Sequence, residues 1–583
     1  MKKILVSILV ILSLLLSSCD FSVNVGDGSS DNSSANGNDT SIDTNCPGSP
    51  DGDQSDNNSS ADSNTPGDNN GSGDNNGSGD NNGSGDNNGS GNNNGSGDIV
   101  DNPGSEGERE HVDADDNGVC DVCYGSVITE INFFGINDFH GKMSDSDTQP
   151  GADELSLYLK TLKSNYTNSV LLSSGDMWQG GAESNLTRGI LVTEWMNELG
   201  FSSMTLGNHE YDWGSQYIRS NKEAADFPLL AINVYDSVTN KRVDYCDASV
   251  MVDLGAVQVG IIGAIGDCYS SISADKCADV YFKTGSSLTS LIKAESERLR
   301  SAGADYIVLS YHEGYGNSSS GSTISNGALS EYYDTSLSSG GYVDVVFEGH
   351  SHKSYAVRDS WGVYHLQGGG DNSGFVHYTV NVNFVTGTSA AVKASTVSNY
   401  AYGGLEDDPF VHELFEKYKD AIAKAYESLG YNPSYIDDTV LEQKVADLYY
   451  ELGELAWGAE YDIVLGGGFL RTRSPYNLYS GEVTYADLMM LFPFDNEIVL
   501  CTIKGSKLKS QFFNSSSSDY YIAYGEYGQQ IKSSINDNAT YYVVVDSYTA
   551  YYKYNGLTIV EKYDTETFAR DLLAEYIKAG NLW

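Results

Sequence analysis

The chain of 583 residues holds only nine histidines, and five of them stand in short polar clusters that follow apolar runs. His140 lies in "INDFHG" beside Asp138, and His209 in "TLGNHEYDWG" with Asn208 and Asp212. His312 belongs to "VLSYHEG", His350 and His352 to "FEGHSH", and Asp176 to "SSGDMWQGG" after another apolar run. Imidazole, carboxylate and carboxamide without cysteine form a mixed nitrogen and oxygen donor set. Such a set suits zinc, manganese, iron or cobalt rather than an all-oxygen magnesium or calcium cage. These side chains are too many for one catalytic ion. Two ions about 3.5 to 4 Å apart, sharing a carboxylate, would use them and leave room for water and a substrate.

Convergence of such distant segments requires a scaffold. Between Val127 and Tyr400 the runs "VITEINFFGI", "SVLLSS", "SSMTLG", "LLAINV", "VQVGIIGAI", "DYIVLSY" and "VDVVFEG" read as strands. Residues 155–163, 186–199 and 288–302 carry helical apolar spacing. The alternation predicts an α/β layered fold, in which loops at the C-terminal ends of strands converge on one sheet edge. One histidine after a strand is more often a satisfied structural residue than a ligand. Five strand ends that carry Asp, His or Asn together reverse that expectation.

The flanking segments bear on location. Lys2 and Lys3 precede an apolar run over residues 4–16, too short to span a bilayer comfortably. The run ends in Leu16-Ser17-Ser18-Cys19, which resembles a bacterial lipobox, so residues 1–19 are expected to be a lipoprotein signal peptide and Cys19 to carry the membrane anchor. Residues 20–125 should form a disordered Gly/Asn/Asp/Ser-rich tether: "GDNNGS" recurs with a period of six and apolar residues almost vanish. A flexible coil of that length spans on the order of 60 Å. Near its end, the loop at 111–123 reads "HVDADDNGVCDVC". Asp113, Asp115, Asn117 and Gly118 copy the opening of a calcium loop without its closing Glu, whereas Cys120 and Cys123 have zinc or disulfide spacing. A small turn closed by a local disulfide is the plainer alternative. Some of Cys246, Cys268 and Cys277 could also pair in an oxidising compartment. The net charge of −48 argues against binding nucleic-acid backbones and agrees with an exported, soluble body.

The ordered series "NDFHG", "SSGDMWQGG", "LGNHEYDWG", "LSYHEGYG" and "FEGHSH" resembles the metallophosphoesterase domain of the bacterial 5'-nucleotidase family. The resemblance implies a four-layer αββα sandwich over about residues 126–400. It implies that Asp138, His140 and His352 hold one metal, that Asn208, His312 and His350 hold the other, and that Asp176 bridges them. Many relatives have Gln at the position of His352, and either side chain can coordinate. His209 is then left over as a catalytic histidine that stabilises charge on the transferring phosphoryl group, with Asp212 orienting its ring.

A connector helix is expected over 407–430, with Phe410, Leu414, Phe415, Tyr418, Ile422 and Tyr426 on one face and Gly430 at its end. Beyond it, about residues 440–548 resemble the family's smaller α/β substrate-binding domain, which is expected to span residues 431–583. By position, Arg471 corresponds to the arginine after the Gly-rich turn, Phe494 and Tyr548 to the two base-stacking aromatics, and Asn496 to an adjacent base contact. The sequence departs from the family pattern in two places. "DDTVLEQKVADLYYELGELA" lacks the arginines of relatives, and "AYYKYNG" stands where they carry Gly-Gly-Asp-Gly-Tyr, so an acidic ribose contact is missing. The resemblance implies a lipid-anchored, extracytoplasmic two-metal phosphoesterase, most simply a 5'-nucleotidase. A cyclic-nucleotide phosphodiesterase or nucleotide-sugar pyrophosphatase could use the same core. A non-catalytic surface binding protein would tolerate losses among Asp176, Asn208 and His209, and none is lost.

Overall fold

A computed structural model of the protein describes residues 111–145, 149–315, 332–469, 477–514, 520–563 and 567–580. The signal segment, Cys19 and most of the expected tether lie outside these residues.

Strands β1 (Ile128–Ile136), β2 (Ser169–Ser173), β3 (Ser203–Thr205) and β4 (Leu229–Leu230) run parallel side by side. Strands β5 (Val234–Asp236) and β8 (Val280–Phe282) form a separate small ribbon. A second sheet contains β6 (Ser249–Asp253), β7 (Gln258–Ile265), β9 (Tyr306–His312), β10 (Val345–Glu348), β11 (Ser354–Arg358) and β12 (Tyr364–Gly368). Strands β13 (Gly374–Asn383) and β14 (Ser389–Ser398) complete the first sheet, in the order β14-β13-β1-β2-β3-β4. The second runs β11-β12-β10-β9-β7-β6.

Strand periodicity explains the layering. Along β1, Ile131 and Phe133 enter the cluster between the two sheets with Val308, Val345 and Phe347, while Phe134 and Ile136 point the other way. On that outer face they meet Leu155, Leu159, Trp195 and Leu414 from the flanking helices. The outer face of the second sheet buries Ile262, Leu309 and Val346 against Leu288, Ile292 and Leu299 of the helix Gly285–Ser301. Helix, sheet, sheet and helix thus make the four layers. Because β1, β2 and β3 are parallel, as are β7, β9, β10 and β12, the loops after them gather at like edges.

Residues 438–457 form a helix capped by Asp437, whose side chain accepts the Thr439 N–H. It packs on a five-stranded sheet ordered Tyr520–Ala523, Ile463–Phe469, Thr540–Asp546, Ile498–Lys504 and Thr558–Lys562. Ala182 belongs to the apolar cluster of this half, so the two α/β bodies share packed surface.

Four expectations are corrected. The helical run 186–199 is broken: one helix ends at Leu186 and another begins at Ile190. Gly189 between them takes φ 85°, and a Cβ there would lie 2.7 Å from the Trp178 ring, so the break makes room for that indole. The connector over 407–430 is helical only from Pro409 to Ile422, followed by a 3-10 turn at Ala423–Tyr426 and a strand at Ser428–Asn432. Gly430 adopts φ 132° at a bulge in that strand, which pairs with Gly481–Thr484, and does not cap a helix. The expected disorder does not reach residue 125. Asp113 and Cys120 are buried, and the Asp113 carboxylate accepts the Asn117 and Gly118 N–H groups and the Asn383 side chain. That inward use of Asp113 is unlike a calcium loop. Finally, Cys120, Cys123, Cys246, Cys268, Cys277 and Cys501 are unpaired among the described residues, so neither the local disulfide nor a pairing among Cys246, Cys268 and Cys277 is formed there.

Candidate active site

The loops after β1 and β2 are zipped together by backbone hydrogen bonds from Asp138 N–H to Gly175 and from His140 N–H to Asp176, at 2.9 and 3.0 Å. Asp138, His140, Asp176, His350 and His352 all have left-handed backbone, with φ between 50° and 67°. Each costs about 1 kcal/mol or more, a strain that persists only where the surroundings impose it and that clusters at functional sites. The approach is close. A Cβ at Gly175 would lie 2.6 Å from His312 Nδ1, and one at Gly207 would lie 2.2 Å from Asp176 Oδ1.

Two groups of donor atoms result. Asp138, His140 and His352 bring one ligand atom each within 4.8 Å of one another, and so do Asp176, His312 and His350. His140 Nδ1 donates to the Gln179 carbonyl at 2.8 Å, leaving its Nε2 lone pair to face His352 Nε2 at 3.0 Å. His312 Nδ1 donates to the Ser174 carbonyl at 2.7 Å, and its Nε2 lies 3.1 Å from Asn208 Oδ1 and 3.2 Å from Asp176 Oδ2. The Asn208 carboxamide nitrogen is buried with no hydrogen-bond partner among the described residues. With its Nδ1 proton given to Ser174, neutral His312 turns an Nε2 lone pair toward Asn208 Oδ1 and Asp176 Oδ2; such crowded acceptors are costly in a dry site, and a cation among them would relieve the crowding. The donor set therefore fits divalent metal, with ring tautomers already set by backbone carbonyls.

Burial pushes the His312 imidazole down, but Asp176 and Asp138 outweigh it and raise it to about 10, so the pocket favours a positive charge at this point, which a proton or a cation can supply. Burial pushes the Asp138 carboxyl up, opposed by His352 and His312. Asp176 is equally buried, yet the charges of His312 and His209 pull it well below the carboxylate range. Burial and the charge of His312 push His350 down to about 4. His209 stands beside this cluster, its ring centroid 5.1 Å from that of His140. Its backbone N–H donates to Asp176 Oδ1 at 2.8 Å, and its ring Nδ1 pairs with Asp212 Oδ2 at 2.6 Å.

Several supporting residues escaped the sequence reading. Asn137 donates to Asp138 Oδ2 at 2.6 Å and to the Gly369 carbonyl, joining β1 to the loop after β12. Glu210 is fully buried and accepts the N–H groups of Asp176, Met177 and Gly207 at 2.9, 2.8 and 2.7 Å. Burial and the nearby Asp176 charge push its carboxyl up to about 7. A Glu directly after a candidate histidine was visible in "NHEYD", but its task of stapling two loops was not.

The second α/β body reaches this edge through its 492–495 loop. Arg570, buried, donates to the Phe492 and Phe494 carbonyls and to Asp495, while Arg188 pairs with the other Asp495 oxygen at 2.6 Å. Phe494 is 42% exposed, and its ring lies 5.9 Å from His209 at 27°, a stacked arrangement. Tyr548 is half-buried with the Lys553 amine 5.4 Å from its ring centroid. Asn496 is half-buried and its peptide carbonyl accepts the Ala569 N–H. Arg471 lies outside the described residues.

Residues 131–354 match the calcineurin-like phosphoesterase family, and residues 421–559 match the 5'-nucleotidase C-terminal domain. An apyrase of Tabanus yao is 23% identical over 65% of this chain and 72% of its own length. The 5'-nucleotidase of Vibrio vulnificus is 36% identical over a stretch covering 16% of this chain and 17% of the enzyme. Among solved structures, a 5'-nucleotidase precursor from Thermus thermophilus superposes with a TM-score of 0.56 at 18% identity, covering 77% of this chain and 96% of that one. That likeness concerns the fold. With both domain types present in order and the donor groups assembled at the sheet edge, the chain belongs to the 5'-nucleotidase family of metal-dependent phosphoester hydrolases.

Proposed function

We propose that the protein hydrolyses nucleotides outside the cytoplasm, most simply a nucleoside 5'-monophosphate to nucleoside and phosphate. The observation that carries this reading is the stacking of Phe494 beside His209: an aromatic face suited to a base adjoins a histidine suited to phosphoryl charge. Asp138, His140 and His352 would hold one divalent ion and Asn208, His312 and His350 the other, with Asp176 shared. When bound, such ions polarise a phosphoryl oxygen and bring the pKa of water near neutrality.

The chain's own side chains supply the rest. Asp212 orients the His209 ring through Nδ1 and compensates an imidazolium charge, so that the ring can stabilise negative charge developing on the phosphoryl group. Trp178, Phe139 and Met177 are buried around the loops and exclude water from behind the donors. Phe494, with Tyr548, Asn496 and Arg471 as further contacts, would receive the base. Lipidation at Cys19 would hold the enzyme to a membrane.

The deciding experiment assays phosphate and nucleoside release by the purified chain across mononucleotides, cyclic nucleotides, dinucleotides and nucleotide sugars with several divalent ions. Faster turnover of a base-free ester than of every nucleotide refutes the nucleotide reading. Cys19→Ala should release the protein from membranes, and persistent attachment would refute the anchor.

A further inference from the structure

We propose that His111, Cys120 and Cys123 form a separate zinc site ahead of β1, sharing no residue with either group of phosphoesterase donors. The three residues bring one ligand atom each within 4.8 Å of one another, and Cys123 Sγ lies 3.5 Å from His111 Nδ1. Zn–S bonds of about 2.3 Å and Zn–N bonds of about 2.0 Å, held at tetrahedral angles, place sulfur and nitrogen about 3.5 Å apart. The observed spacing is that of two ligands of one ion. A lone thiol–imidazole hydrogen bond would account for that pair but not for the arrival of Cys120 Sγ as well.

The backbone is built around the sulfurs. Cys120 Sγ accepts the N–H groups of both Val122 and Cys123 at 3.4 Å, contacts that favour a thiolate. Tyr124 takes a left-handed φ of 59°, and the turn closes with Tyr124 N–H to the Cys120 carbonyl and Cys120 N–H to the Gly125 carbonyl, both 2.8 Å. Two thiolates and an imidazole select zinc over calcium or magnesium, and a water or one further group would complete four-coordination. Binding would release the thiol protons to solvent.

The placement suggests what the site does. The same loop grips the β13–β14 turn: Asp116 accepts Asn383, Thr386 and Thr388, and the His111 ring meets Phe384 edge-on at 5.7 Å. An ion held here would clamp residues 111–125 onto the sheet edge. It would also keep both thiols from pairing in an oxidising compartment.

Cobalt(II) substitution of the full chain tests this without interference from the phosphoesterase metals, because their donor set contains no sulfur. Near-ultraviolet sulfur-to-cobalt charge transfer is expected, and Cys123→Ser, at an exposed position, should abolish it while leaving phosphoesterase activity intact. His111→Ala should weaken or shift the same absorption. Absence of the band in active protein, a band unchanged by Cys123→Ser, or a Cys120–Cys123 disulfide found by peptide mapping of exported protein would each overturn the proposal.

Discussion

The Phe494 ring lies 5.9 Å from the His209 ring, inclined by 27°, although the two residues belong to different α/β bodies. Arg188 and Arg570 hold the intervening loop from either side through Asp495. The arrangement joins the face that would bind a base to the group that would stabilise phosphoryl charge. Phe494→Ala should therefore raise KM for a nucleotide at least severalfold, since stacking contributes about 1 to 3 kcal/mol per base. Hydrolysis of a small phosphate ester without a base should hardly change. Equal KM values for wild type and variant would dismiss the stacking role.

His209 contacts Asp212 through its ring and the Asp176 carboxylate through its backbone N–H, but contributes no ligand atom to either donor group. His209→Ala should lower kcat by about 100-fold or more with metal content retained. Asp212→Asn should do the same less severely, because the ring loses its orienting charge and keeps its position. Metal analysis alongside kinetics makes the distinction; joint loss of metal and activity would make His209 a ligand.

Asp176 faces His312 through one oxygen and the His209 N–H through the other. Asp176→Ala should abolish activity and reduce bound metal by at least one ion per chain, measured by elemental analysis. A fully active variant would remove Asp176 from the site.

A buried triad elsewhere predicts a pH effect on stability. His365 Nδ1 lies 2.9 Å from Glu348 and its Nε2 3.6 Å from Asp359. Burial pushes the imidazole down, but Glu348 and Asp359 outweigh it and raise the pKa to about 9. The folded state thus holds this proton more tightly than the unfolded chain, whose ordinary value is about 6.5. The contribution, on the order of a few kcal/mol, is fully present below pH ~6.5 and lost as pH rises through ~9. Thermal denaturation across that window should show Tm falling, and His365→Gln should flatten the slope while lowering Tm at neutral pH. An identical slope in the variant would assign the effect to other groups.

The sequence alone determined the strand and helix alternation, because apolar periodicity is local and each face of β1 must find a partner. It also determined which side chains could bind metal, since the short motifs after β1, β2, β3, β9 and β10 contain the donors themselves. Helix ends were less legible: the break at Gly189 depends on the Trp178 ring, and the strand at Ser428–Asn432 depends on its distant partner Gly481–Thr484. Local propensity carries no record of either. Glu210, Arg188 and Arg570 look like ordinary charged residues in the chain, and only the fold reveals that they staple loops by satisfying buried backbone and carboxylate groups. The same holds for residues 111–125. Their polar composition reads as tether, but Asn383, Thr386 and Thr388, brought up by the β13–β14 turn, give the aspartates the partners that fold the segment onto the sheet. Composition reports what a segment can bury by itself, whereas tertiary structure decides which distant donors arrive to pair with it.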